Sequence, residues 1–425
     1  MREMKDSGIE WIGEIPADWK VVKNKYLLSL LYSGGTPSVS NNDFYCFEGG
    51  TPFVSISDMS TVDYVLSTQK RLTGSGLKDK NLKILPIGTI LYSIYATVGA
   101  VSELKIEAAI SQAMLALQVN SKVNKSFYKY NLAAMKDYIF SNANGNTQFN
   151  LNAEKVKNFY FVLPNVATQH RIANYLDRKS SQIDAIIARQ QEVIEKLKAY
   201  KLSIITEAVT KGLNPNVPMK DSGVEWIGEV PEHWNILKLQ AHTQMLTPMR
   251  DRPEKLDGDI PWVRIEDYDG KYISASKEGL GVSTETVKEM NLKIYPVGSI
   301  LCTSSCDLGK CAIVARELVS NQRFINIIPD SNTNSDYLYY LMLSNAERLN
   351  HLSTGTIQAN LSRKAFEHLM VQFPPISEQK EIAYYLDIKC EIIEFSIRKK
   401  QELIDRLSSY KKSLIYEVVT GKKEV

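Results

Sequence analysis

Five cysteines and five histidines among 425 residues are too few for a disulfide framework or a dense metal-binding module. The odd cysteine count suits a reducing compartment. The first sixteen residues, MREMKDSGIEWIGEIP, hold no apolar signal core, so a cytoplasmic protein is expected. No apolar run approaches the ~18 residues of a membrane helix. Charge of one sign is missing too: 51 basic against 48 acidic side chains leave +3, which excludes a basic chain that coats polyanions indiscriminately. Catalytic signatures are also absent. There is no GxxxxGK[ST], GxGxxG, HExxH or GxSxG, no nuclease-like Asp…Glu-x-Lys cluster, and no Asn/Asp-Pro-Pro-aromatic motif, for which Phe373-Pro374-Pro375-Ile376 does not qualify. Cys302, Cys306 and Cys311 have a metal-like spacing but no nearby histidine. They read as buried thiols, with no metal. These gaps argue against an enzyme acting by itself.

What is present is a repeat. MKDSGIEWIGEIPADW (4–19) returns as MKDSGVEWIGEVPEHW (219–234), with twelve of sixteen positions identical. TPFVSISDMS (51–60) aligns with IPWVRIEDYD (260–269), NLKILPIGTILYS (81–93) with NLKIYPVGSILCT (291–303), and GNTQFNLN (145–152) with GTIQANLS (355–362). QHRIANYLDRK (169–179) aligns with QKEIAYYLDIK (379–389), and LKAYKLSIITEAVT (197–210) with LSSYKKSLIYEVVT (407–420). A period near 210 residues makes each copy domain-sized, far above solenoid repeats.

Each copy has two grammars. Its first part carries Gly, Pro and β-branched residues in short runs, which predicts short strands and turns with some helix, as at 126–140. Its last part holds no Gly or Pro from Val166 to Lys211 or from Ile376 to Thr420. Prolines before and Gly212 and Gly421 after these stretches punctuate two long helices, with Thr168 and Ser377 as candidate N-caps. Heptads begun at Gln169 and Gln379 put Ile172, Leu176, Ile183, Ile186, Val193, Leu197, Tyr200 and Ile204 on one seam. On the other they put Ile382, Leu386, Ile393, Leu403, Leu407, Tyr410 and Leu414. A seven-residue seam over six heptads predicts a coiled coil, with Gln, Lys and Glu at matching seam positions as register markers. The expected fold is α+β: two similar mixed α/β globules (1–165 and 214–375) separated by two long helices (166–213 and 376–425). The helices pair as an antiparallel coiled coil with pseudo-twofold symmetry, a rod of roughly 60 Å.

Two globules and a spacer suit a reader or an adaptor. The second globule carries 16 basic and 20 acidic residues, net −4, which counts against broad phosphate binding by this chain alone. Local basic clusters remain: Lys70, Arg71 and Lys78, with Lys80 and Lys83, in the first copy, and Arg250, Arg252 and Arg264 in the second. Arginine suits bidentate reading of guanine. After the aligned GTIL and GSIL strands the loops diverge. Ser93, Tyr95 and Thr97 stand in one copy, and Thr303, Ser304 and Ser305 in the other, as expected where one scaffold reads two targets. Thr147 and Gln148, with Thr356 and Gln358, precede helix-like segments whose backbone N–H groups suit a phosphate. Trp11, Trp19, Trp226 and Trp234 read as a packing clasp.

MKDSGIEWIGEIPADW and its copy, LPNVATQHRIANYLD and PPISEQKEIAYYLD, and the helix ends ITEAVTKG and IYEVVTGK together resemble the specificity (S) subunit of type I restriction–modification systems. The resemblance covers essentially the whole chain. It implies that each globule is a target recognition domain reading one half of a split site in double-stranded DNA, and that the paired helices set the gap. It implies docking of two modification subunits that methylate adenine with S-adenosylmethionine, and of two restriction subunits that use ATP and Mg for translocation and cleavage. This chain itself would hold no cofactor. A protein–protein scaffold clamp and a stand-alone DNA-binding regulator are the alternative readings of the residues.

Overall fold

The computed structural model describes residues 2–141, 151–248, 251–305, 309–352 and 361–425. The chain divides into two compact units, Met1–Gln190 with Glu402–Val425, and Gln191–Gln401. Each long helix thus contributes to both units.

In the first unit, β1 (Leu28–Ser33), β2 (Tyr64–Val65), β3 (Ile90–Ser93), β4 (Val101–Leu104) and β5 (Met114–Val119) form a sheet in the order β1-β5-β3-β4-β2. Its pairs are antiparallel except β4 with β2. The apolar runs ILYS and MLALQV are continuous because both faces of this sheet are covered. Alternate residues serve different cores: Ile90, Tyr92, Leu115 and Leu117 face one, and Leu91, Met114 and Ala116 face the other. Helix α1 (Lys125–Ala134) covers the first face with Phe127, Tyr128 and Leu132. Asn124 caps it by accepting from Phe127 N at 2.9 Å. Helix α2 is Val166–Lys211.

The second unit repeats the plan. β6 (Thr243–Leu246), β7 (Tyr272–Ile273), β8 (Ile300–Thr303), β9 (Cys311–Val314) and β10 (Phe324–Pro329) run in the order β6-β10-β8-β9-β7, again with one parallel pair at the edge. Helix α3 (Ser335–Ser344), capped by Asn334 on Tyr337 N at 2.9 Å, covers it, and α4 is Ile376–Val419.

The tryptophan motifs form a clasp in each unit. Met4–Asp6 pairs with Glu14–Pro16, and Met219–Asp221 with Glu229–Pro231. Trp19 and Trp234 are fully buried and each packs on the glycine that ends a long helix. Gly421 and Gly212 have φ of +76° and +73°, and a Cβ there would meet Pro16 Cδ at 2.5 Å or Trp234 Cζ2 at 3.1 Å. Glycine is required on both counts.

The long helices run antiparallel within each unit. Asp184 pairs with Lys411 at 2.7 Å in the first, and Lys201 with Glu394 in the second. Seventeen residues forward on α2 correspond to seventeen back on α4. The seam differs in detail from the heptad expectation. Ile172, Leu176, Ile183, Ile382, Leu386, Ile393 and Leu414 are buried, whereas Ile186, Tyr200, Leu403 and Tyr410 are exposed, the tyrosines by 58% and 51%. Residues one position past the fourth heptad place are buried along both helices: Ala173, Ile194 and Ala208 on α2, and Ala383, Cys390, Ile404 and Val418 on α4. A helix of 3.6 residues per turn drifts about 20° per heptad against a strict seven-residue repeat. Fourth and fifth heptad positions are both buried in the first heptad, and further along the fifth stays buried or half-buried while the fourth turns outward. Val193, Leu197, Ile204 and Leu407 are half-buried. Gln169 and Gln379 do not mark the register between helices. Each accepts from a backbone N–H of its own globule (Asn124 or Asn334, both 2.8 Å) and donates to a backbone carbonyl (Pro164 or Pro374, both 2.9 Å). Thr168 and Ser377 lie inside the first turns, and Asn165 Oδ1 caps α2 by accepting from Thr168 N at 2.8 Å.

Candidate nucleic-acid interface

The β3–β4 hairpin tip is the most exposed part of the first unit's candidate loop. Tyr95 is 41% exposed and Thr97 stands out with it. Ala96 between them has φ +59°, a conformation that L side chains adopt at some strain and that clusters at functional loops. Ser93 does not face outward. It is fully buried, its hydroxyl donating to Thr97 O and accepting from Ala100 N at 2.9 Å, so it shapes the turn. Thr303 is buried likewise, with its N–H on Lys310 O at 2.9 Å. In both copies the last residue of the first strand closes the pairing, Ser93 N on Ala100 O at 3.0 Å and Thr303 N on Lys310 O. Ser304 and Ser305 are half-buried. The backbone of Ser304 donates to Arg323 O and accepts from Leu361 N, both at 2.8 Å.

Of the basic candidates, Lys70 and Lys78 are exposed. Arg71 is committed to the carbonyls of Gly49 and Gly50, which shapes the 47–50 turn. Arg264 is not free to read a base: its guanidinium pairs with Glu278 at 2.8 Å and flanks Asp267. Arg252 lies over the Trp262 ring at 5.7 Å. Arg250, Thr147, Gln148, Thr356 and Gln358 lie outside the described residues.

Sequence reasoning passed over Phe47, which is fully exposed beside that Gly-Gly turn. It also passed over Lys310 and Arg323, which are exposed and line one cavity beside β9. Two charge hubs were missed as well. In the first unit Glu103 of β4 is buried and receives Lys105 and Lys125 at 3.0 Å and Lys129 at 3.2 Å. Burial alone would raise its carboxyl, but hydrogen bonds from Lys125 and Lys105 and the charge of Lys129 hold it down at about 2. In the second unit the signs invert: Lys271 joins Asp336 at 2.6 Å and Asp387. A depressed carboxyl contributes stability above its unfolded value that is lost as pH falls through the folded value. Glu103→Gln is therefore expected to cost about 2–3 kcal/mol at neutral pH. The gap from wild type should close between roughly pH 4.5 and 2, as urea unfolding across that range would show. A gap independent of pH would refute the ionic account.

Each unit thus combines the same sheet order, a clasp and a stretch of the paired long helices. The sequence profile of the type I restriction modification DNA specificity domain matches residues 16–196 and 244–404. The chain belongs to this family. As a type I specificity subunit, it is a DNA sequence-recognition component of a type I restriction–modification system. It is 32% identical over 188 residues to the type I restriction enzyme MjaIX specificity subunit of Methanocaldococcus jannaschii, a match spanning 43% of each chain. It is 23% identical over 431 residues to the MjaVIII specificity subunit of the same organism, spanning 97% of this chain and 94% of the relative. A solved structure from work on the complex assembly and conformational transition of the type I system shares its fold, with a TM-score of 0.70 over 96% of this specificity subunit and 99% of that chain, at 13% identity.

Proposed function

We propose that each globule reads one half of a bipartite DNA site, and that the paired helices set the gap between the halves. The helices would also seat two modification subunits and, through them, two restriction subunits. The chain itself performs no catalysis; S-adenosylmethionine, ATP and Mg belong to the partners. One observation carries the reading: the same five-stranded order is built twice, and the hairpin tips differ, Tyr95-Ala96-Thr97 in one copy and Ser304-Ser305 with Lys310 in the other. A common scaffold with divergent tips fits two half-sites of different sequence.

The test is adenine methylation mapped genome-wide in cells expressing the methyltransferase partner with and without this chain. A split motif with a fixed gap should vanish when the chain is deleted. Unchanged methylation would favour a scaffold without DNA contact. Phe47→Ala is expected to weaken reading of one half-site only, by about 1–3 kcal/mol for a stacked or wedged ring. Equal loss at both halves in the same maps would remove it from the interface.

A surface on α4 supports docking. Tyr384, Ile388, Ile392 and Phe395 are exposed and fall on one helix face, Ile392 by 58%. The first copy has Asn174, Arg178, Gln182 and Ala185 at the aligned positions, so the two docking seats differ. Ile392→Asp is expected to reduce co-purification of the modification subunit at least tenfold, about 1.4 kcal/mol or more. Undiminished recovery would place docking elsewhere.

A further inference from the structure

We propose that Cys302 and Cys311 form a modification site: a dithiol that a peroxide converts reversibly into a disulfide across the β8–β9 pair. β8 and β9 place the two residues directly opposite each other. The neighbouring pair is hydrogen-bonded, Thr303 N to Lys310 O at 2.9 Å, so the cysteines occupy the alternate position where facing Cα atoms come closest, about 4.5 Å. That is within disulfide reach. Their sulphurs are 2.8 Å apart. The scaffold does not demand thiols there, because the first copy fills the same two positions with Tyr92 and Val101.

The two thiols differ in access. Cys302 is fully buried, and burial pushes its thiol well up. Cys311 is 6% exposed and lines a cavity of about 600 Å³ together with Glu266, Tyr268, Lys310 and Arg323. It is the sulphur a small peroxide can reach, and the two cationic side chains suit the hydroxide that departs there. The order of steps follows. Cys311, as thiolate, attacks one peroxide oxygen: an S–O bond forms, the O–O bond breaks and hydroxide leaves. Cys302, giving up its proton, then attacks that sulphur: the S–S bond forms, the S–O bond breaks and water leaves. Two electrons pass from the thiols to hydrogen peroxide. The bond stiffens the hairpin that carries Ser304 and Ser305, and on the specificity-subunit reading it alters the second half-site alone.

The test takes the full-length chain, treats it with hydrogen peroxide, alkylates with N-ethylmaleimide and maps the peptides by mass spectrometry. A 302–311 link is expected. It should return to two free thiols with dithiothreitol, persist in Cys306→Ser and be absent from Cys311→Ser. Free thiols at both positions after Cys46 has been oxidised overturn the proposal, and so does a link that runs through Cys306. Neither readout depends on DNA. With the link confirmed, unchanged affinity of the complex for both half-sites overturns only the effect on reading.

Discussion

Trp234→Ala is expected to destabilise the protein by about 3–5 kcal/mol, the range for emptying a large buried aromatic site. The indole lies at the point where three elements meet. It packs on the C-terminal glycine of α2, sits in the core that α3 and β8 share, and donates through Nε1 to Glu378 Oε2 at 2.9 Å at the start of α4. Its removal leaves a cavity and frees both helix ends. Gly212→Ala, which strains a positive φ and brings a Cβ to 3.1 Å from the Trp234 ring but keeps the ring, should cost less, about 1–2 kcal/mol. Urea unfolding of both variants, followed by circular dichroism, checks the ranking. A loss below about 1 kcal/mol for the tryptophan variant would mean that the clasp is peripheral.

The second large effect concerns the DNA gap. Four residues inserted between Gln190 and Gln191, and four between Ile404 and Asp405, fall opposite each other in the antiparallel register set by Asp184–Lys411 and Lys201–Glu394. Each helix lengthens by about 6 Å, close to two base pairs at about 3.4 Å each. The methylated motif should keep both half-sites and gain roughly two undefined bases between them. Methylation persisting with the original gap would show that the helices are not the ruler.

The sequence disclosed the duplication and the long helices because both leave signals that need no tertiary context: identity at a fixed offset, and stretches free of Gly and Pro. The stripe on those helices was legible only in part. Whether Tyr200 or Lys201 faces inward depends on a few degrees of drift per turn, which a list of apolar residues does not resolve. The strands flanking the candidate loops were legible as apolar runs, but the burial of Ser93 and Thr303 at their ends was not. Ser93 and Thr303 look like available hydroxyls until the strand pairing shows that their partners are in the same turn. Arg264 likewise looked free because Glu278, fourteen residues on, gave no hint of approach. Glu103 had the clearest unread signal, with Lys125 and Lys129 one turn apart on the same helix face. Only the fold brings that face to the carboxylate.

The inverted charge of the two hubs bears on how such a chain folds without confusing its halves. Two domains with the same strand order and closely similar edges in one polypeptide are prone to exchange elements while still incomplete. Were α3 to take the place of α1, buried Glu103 would lose Lys125 and Lys129, because Ser335 and Tyr339 stand at the aligned positions. Were α1 to take the place of α3, Lys271 would lose Asp336, for which Ser126 is the aligned residue. Each misassembly leaves a charge without its partner, which costs several kcal/mol that the correct pairing recovers. Duplication made the halves interchangeable in shape, and the opposed hubs act as a lock and key of charge that keeps each helix with the sheet it was made beside.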